Sequence, residues 1–280
     1  MSAYNLKVVQ YNGFLQFRIY DRPIMVEDAD TNINEKIKDE LYQLNFVENE
    51  EKKEDDRSAT KTDNEKNEHS ERVSINRTIQ NIYDYTLNNN WDWFVTLTFA
   101  EKKVNRNDYS EVMKKTCNWC KNMRNRYAPN MKYLFLAEKH EKGGYHVHGL
   151  FADCGNIQFE DSGRVAIGKK AYLRTEKNEH YPTIYNIENW KNGWSTATRV
   201  QNSVRCASYI TKYITKNLCK EIPGKRRFYP SNNLEKSIQT VYNLPENEIW
   251  NMLNSYEIDY MKVQHIPDAG QTIKYITVKL

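Results

Sequence analysis

YLFLAEKHEKGGYHVHGLF, residues 133–151, decides the fold. Two runs of apolar and aromatic residues flank Gly143-Gly144, and paired glycines enter the positive-φ region of a tight turn without a Cβ penalty. The stretch therefore reads as a hairpin, with Tyr133–Lys139 running out and Tyr145–Phe151 running back. Side chains alternate along a strand, so His146 and His148 project together while Val147 turns into the core. Glu138 and His140 share a face of the other strand by the same rule. With the turn at residues 142–144, Glu138 lies opposite His148 and His140 opposite His146, all on one patch. A slip of one residue would send Glu138 and His140 to the other face.

That patch has the chemistry of a metal site. Two imidazoles need at least one further ligand to hold a divalent cation, and Glu138 or His140 can supply it. Nitrogen and carboxylate donors with open positions suit Mg²⁺ or Mn²⁺, and Zn²⁺ is also chemically compatible.

Outward from the hairpin, strands and helices alternate. Residues 5–24 form a second hairpin around Asn12-Gly13, the strongest short turn signal in the chain. A helix is predicted over Ser74–Leu87, with Ser74 as its cap, followed by a strand over Trp93–Phe99. An amphipathic helix spans 108–127, stopping before Pro129. Residues 152–190 read as loop-rich with short strands, Trp194–Val200 as a strand and 203–219 as a helix. A short helix near 245–255 and strands near 258–265 and 272–279 close the chain. Hairpins among helices give the α+β class, a central antiparallel sheet flanked by helices. The expected organisation is an N-terminal hairpin (1–27), an acidic, partly disordered linker (28–72), a central domain that carries the histidine hairpin (73–235) and a C-terminal accessory segment (236–280).

The helix at 203–219 carries the second chemical signal. Tyr209, Lys212, Tyr213 and Lys216 follow i, i+3, i+4, i+7 spacing, with Arg205 one turn earlier. Ala207, Ile210, Ile214 and Leu218 form the opposite, apolar stripe. The bland reading is an amphipathic helix with two surface tyrosines. The sharper one is phosphoryl transfer to a phenol. A phenol with pKa near ~10 is a weak nucleophile at neutral pH, and a metal on the phosphate plus nearby ammonium groups would correct that.

WFVTLTF (93–99), HVHGL (146–150) and YITKYITK (209–216), in that order, resemble the three motifs of the HUH replication initiators, the phage and plasmid replication proteins related to the filamentous-phage gene II protein. The resemblance covers roughly residues 74–235. It implies an RRM- or ferredoxin-like antiparallel sheet with the histidine pair on a middle strand. His146 and His148 match the metal-binding histidines, and Glu138 the acidic residue of the preceding strand, which favours Glu138 over His140 as third ligand. Tyr209 and Tyr213 match the nucleophiles, and Lys212 and Lys216 the motif's lysines. The implied activity is a metal-dependent nick through a 5′-phosphotyrosine link that leaves a free 3′-hydroxyl, without ATP. In relaxases of the superfamily the tyrosine precedes the histidines; here it follows.

Composition agrees. Residues 27–71 hold 16 acidic and 7 basic side chains, so the remaining chain carries +13 of a net +4. A basic body points to a polyanionic partner. Arg199, Arg205, Lys220, Lys225, Arg226 and Arg227 are the candidate phosphate contacts, and loops rich in tyrosine and tryptophan could stack unpaired bases. Trp91, Trp93 and Trp119 read as core. No apolar run approaches the ~18 residues of a membrane span, and the first residues lack a signal-peptide layout, so a cytoplasmic location is expected.

Five scattered cysteines argue against a disulfide framework, and Cys117-x-x-Cys120 has no second pair to make a zinc site. Gly163–Lys170 imitates a phosphate-binding loop but lacks the Ser/Thr that would hold Mg²⁺. No helicase module is visible, so a host helicase and polymerase are the expected partners on single-stranded origin DNA. The same chemistry would also serve a single-strand transposase. A non-catalytic single-strand binder would have no use for two tyrosines beside two histidines.

Overall fold

The computed structural model describes residues 2–26, 63–140, 143–168, 170–214, 222–266 and 270–280. In chain order the elements begin with β1 (Ser2–Tyr11), β2 (Phe14–Val26), α1 (Asp63–Asn88), β3 (Trp93–Leu97) and α2 (Tyr109–Arg126). Next come β4 (Lys132–Lys139), β5 (Tyr145–Ala152), β6 (Phe159–Ile167), β7 (Lys170–Leu173), β8 (Thr183–Ile187) and β9 (Ser195–Arg199). The chain ends with α3 (Ser203–Thr211), β10 (Phe228–Pro230), β11 (Ile238–Tyr242), α4 (Glu246–Leu253), β12 (Ile258–Ile266) and β13 (Gln271–Lys279). The fold is α+β, as the sequence implies. It divides into two units, residues 1–84 with 236–280 and residues 85–235, the division falling inside α1.

The first unit joins both ends of the chain in one five-stranded sheet of order β11-β1-β2-β13-β12. Its first hairpin turns at Asn12-Gly13, where Gly13 has φ +86°, a conformation that favours glycine. Ile249 and Leu253 of α4 pack on Leu6, Phe17, Ile19, Ile276 and Val278, each burial worth about 1.5–3 kcal/mol.

The second unit is an eight-stranded sheet of order β10-β4-β5-β3-β9-β8-β6-β7. One face is the core: Trp93, Val95, Leu97, Phe135, Ala137, Val147 and Phe151 pack against Val112, Met113, Trp119, Cys120 and Met123 of α2. Asp108 starts that helix, its carboxylate accepting from Ser110 N at 2.8 Å, a capping bond of the kind worth ~1 kcal/mol. Trp91, Trp93 and Trp119 are all buried, as predicted.

Several boundaries differ from the sequence reading. Helix α1 starts at Asp63, so the last part of the expected linker is helical, while residues 27–62 lie outside the described residues. Helix α3 ends at Thr211, where the periodicity predicts helix to 219. The chain turns instead, with Tyr213 N bonding Ile210 O at 3.3 Å and Ile214 N bonding Thr211 O at 3.0 Å. The Thr211 hydroxyl bonds back to Ala207 O at 2.9 Å and Ser208 O at 3.2 Å. Residues 215–221 lie outside the described residues. The short strands β10 and β11 were not expected. The stretch imitating a phosphate loop is the β6–β7 hairpin, extended backbone rather than a loop opening a helix.

Candidate functional site

The face of the second sheet opposite α2 carries the chemistry. There β5 lies between β4 and β3, so its even-numbered residues have neighbours on both sides. The β4–β5 register pairs Glu138 with His146 and Leu136 with His148. This overturns the predicted pairing of Glu138 with His148 and His140 with His146. The turn is one residue earlier, because Gly144 is part of the ladder: His140 N donates to Gly144 O at 2.9 Å. Arg106 holds it there, since Tyr145 N donates to Arg106 O at 2.7 Å and a Cβ on Gly144 would lie 2.9 Å from Arg106 Cδ. Both strands shift by one residue relative to the prediction, so parity survives and every predicted ligand stays on the same face.

The four side chains then meet in two pairs. Glu138 reaches diagonally to His148, with Oε2 2.8 Å from Nε2. His140 and His146 stack with ring centroids 5.5 Å apart. The other nitrogen of His148, Nδ1, lies 3.1 Å from Thr96 Oγ1 on β3. His148 is buried, which makes both partners matter.

The electrostatics follow from this packing. The hydrogen bond from His148 holds Glu138 below the usual carboxylate range against the opposing effect of burial, with His148, His146 and His140 adding to it. Burial lowers the His146 pKa, and the neighbouring imidazoles His148 and His140 lower it further. A neutral imidazole keeps a lone pair for a metal.

Glu138, His146 and His148 are the residues that could hold a divalent cation. Two ligands at right angles around Mg²⁺ stand roughly 3 Å apart, close to the separation of the Glu138 and His148 donors. Thr96 at Nδ1 is the outer partner that fixes a histidine ring for binding through Nε2. Among the described residues, no three His, Cys, Asp or Glu side chains yet converge on one point, as Glu138 and His148 bond directly to each other.

Tyr209 of α3 and Tyr213, in the turn after it, lie on the same face. The Tyr213 ring stacks on His148 with centroids 3.9 Å apart and planes 3° from parallel. Tyr209 stands edge-on to Tyr213 at 5.5 Å and to Phe94 at 5.3 Å. Ala207, Ile210 and Ile214 are buried, as the apolar stripe predicts, while Tyr209 is 40% exposed. Burial, then a hydrogen bond and charge repulsion from Tyr209, push the Tyr213 hydroxyl far above a phenol's usual pKa.

The basic candidates scatter. Lys212 Nζ lies 5.9 Å from the Tyr209 ring centre, and Arg205 is exposed in the first turn of α3. Lys216 and Lys220 lie outside the described residues. Arg199 is not at the site: its guanidinium covers Trp93 at 3.8 Å, on the core face. Lys225 and Arg226 line a separate cavity of about 370 Å³ beside α2, with Tyr109, Lys114, Cys117 and Tyr229. Arg227 is half-buried just before β10. Sequence reasoning passed over Thr96, Arg106 and Phe94. Strand parity already put Phe94 and Thr96 on the His148 face, but only the β3–β5 pairing of Thr96 with His148 shows the contact.

Residues 92–218 match the model of a family described as replication-associated proteins of the ORF2 and gene II protein type, from just before β3 to just beyond α3. Comparisons with curated proteins and with solved structures give no match. No described helix is long and apolar enough to cross a membrane. The match takes in all three motifs, the histidine strand and both tyrosines, and it supports a role as a replication initiator. Over residues 92–218 the chain is similar to the ORF2/gene II family of replication-associated proteins.

Proposed function

We propose that the protein nicks single-stranded origin DNA and reseals it through a phosphotyrosine link, starting rolling-circle replication. The observation that supports this best is the stack of Tyr213 on His148 at 3.9 Å, with Tyr209 5.5 Å beyond. One phenol lies over a histidine that also contacts a carboxylate, and a second stands edge-on to the first, an arrangement a passive binder does not need.

In the reaction a phenolic oxygen attacks phosphorus. One P–O bond forms to tyrosine and the bond to the 3′ oxygen breaks. The phenol gives up its proton and the departing 3′ oxygen takes one. One phosphodiester replaces another, so the reverse attack by a 3′-hydroxyl reseals the strand without ATP. Glu138, His146 and His148 would hold Mg²⁺ or Mn²⁺, with His140 beside them; the bound ion supplies charge stabilisation at the phosphate. Lys212, 5.9 Å from the Tyr209 ring centre, supplies a positive charge near the phosphate. Tyr209 makes the first attack, because it is the exposed phenol whereas burial and its neighbours disfavour the Tyr213 phenolate. The free 3′-hydroxyl serves a host polymerase, and a host helicase opens the duplex in the cytoplasm.

The test incubates the protein with Mn²⁺ or Mg²⁺ and single-stranded DNA from its own replicon, then seeks an adduct that survives denaturation. The adduct should disappear in Y209F and persist, reduced, in Y213F. Persistence in the double variant sinks the proposed nucleophiles, and no adduct with wild-type protein sinks the enzyme. An adduct kept in Y209F but lost in Y213F reverses the order of attack.

A further inference from the structure

We infer that Trp194 is a stacking platform for an unpaired base beside the scissile phosphate. It is 62% exposed, although tryptophan is usually well covered. Thr98 N donates to Trp194 O at 2.8 Å, which carries the β3–β9 ladder one step past Leu97 and Ser195. Leu97 also pairs with Val147, so the next step sets Thr98 beside His146. Glu138, His146, Thr98 and Trp194 thus occupy one row across four adjacent strands, on the face that carries the tyrosines. Two strand spacings, roughly 10 Å, separate Trp194 from His146, the reach of one or two nucleotides.

The exposure is built in rather than incidental. Thr98 Oγ1 accepts from Trp194 N at 3.1 Å and lies 2.9 Å from Trp194 O. Gly193 lies so close to β3 that a Cβ would be 2.3 Å from Thr98 O. Trp190 is buried just before it, its Nε1 donating to Thr98 O at 3.0 Å. Lys103 Nζ donates to Lys191 O at 2.6 Å, which brings two cations to the loop. A rigid, exposed indole on a loop that carries Lys191 and meets Lys103 fits an unpaired nucleotide: the ring takes the base.

This inference rests on the proposed function for its location, but its test does not need nicking. The probes are dye-labelled single strands of about 20 nucleotides, one of mixed sequence and one with an abasic backbone, titrated in chelator to prevent cleavage. W194A should bind the mixed strand about 5- to 150-fold more weakly than wild type. It should bind the abasic strand as wild type does, and W194F should recover most of the loss. An unchanged affinity of W194A for the mixed strand overturns the inference even where wild type forms the covalent adduct. Equal weakening on both strands also overturns it, as that reports a structural role or a protein-docking surface. A base-dependent loss in a protein that forms no adduct upholds the platform and removes the nicking.

Discussion

Replacing Thr96 by valine tests how the site is held. Valine keeps the shape and β-branching of threonine but removes the hydroxyl 3.1 Å from His148 Nδ1. His148 is only 7% exposed, so water cannot readily take that place. A buried polar atom left without its partner costs about 1–3 kcal/mol, so T96V should unfold at lower denaturant concentration by that amount. The second effect is on the ring. Thr96 accepting from Nδ1–H would leave the Nε2 lone pair for an ion bound in place of the direct contact with Glu138; without the hydroxyl, tautomer and orientation are free to change. Losing such an outer partner typically weakens metal affinity 10- to 100-fold. Mn²⁺ binding followed by electron paramagnetic resonance reads this directly, and Thr96→Ser should restore most of both effects. If T96V binds Mn²⁺ as tightly as wild type and loses less than about 0.5 kcal/mol of stability, Thr96 does not position His148.

Three further outcomes follow from the same geometry. Gly193→Ala would drive a Cβ to 2.3 Å from Thr98 O, 2.9 Å from Ala100 N and 2.9 Å from Phe99 Cα; backbone cannot yield as a flexible side chain does, and a loss of about 1–3 kcal/mol in chemical denaturation is expected. Its failure to destabilise would mean that the loop at 190–194 is free to move. Lys225 and Arg226 line a cavity with Lys114 and, among the described residues, no acidic side chain, so K225A combined with R226A should reduce the salt dependence of single-strand binding by roughly 1.4 in log–log slope. An unchanged slope would remove both from the DNA path. Burial raises the thiol pKa of Cys117, Cys120, Cys154 and Cys206, with Cys154 pushed up to about 12. All four should therefore be alkylated slowly at pH 8 in the native protein and quickly in denaturant; fast native labelling, located by mass spectrometry, would contradict their burial.

The site was legible where periodicity governs and illegible where pairing between distant strands governs. Alternation along β4 and β5 put Glu138, His146 and His148 on one face, and helical spacing put Tyr209 and Tyr213 on one stripe. Neither rule relates residues far apart in sequence. Thr96 meets His148 across 52 positions, and Thr98 meets Trp194 across 96. Arg199 shows the converse error: nearness in sequence to α3 suggested a phosphate contact, but parity turns its side chain to the core face with Trp93. The end of α3 was misread because the helical spacing of the sequence continues past Thr211, where the described chain turns. In the first unit, the pairing of β2 with β13 joins residues 14–20 to 273–279. Local signals found each strand but not the sheet they share.

The register error is itself informative about the site. Pairing Glu138 with His146 instead of His148 changes which residues face each other, yet leaves the ligand set on one side. Had only one strand moved by a residue, Glu138 would have been carried to the core face with Ala137, where an unpaired carboxylate costs several kcal/mol. Phe135 and Ala137 would have left the core face in the same step. Burial on one face therefore guards the chemistry on the other: the apolar residues of β4 and β5 permit only registers that keep Glu138 beside the histidines. What remains for the Gly143-Gly144 turn and Arg106 to choose is whether Glu138 meets His148 squarely or diagonally. They choose the diagonal, and a diagonal partner can reach Nε2 of His148 while standing opposite His146.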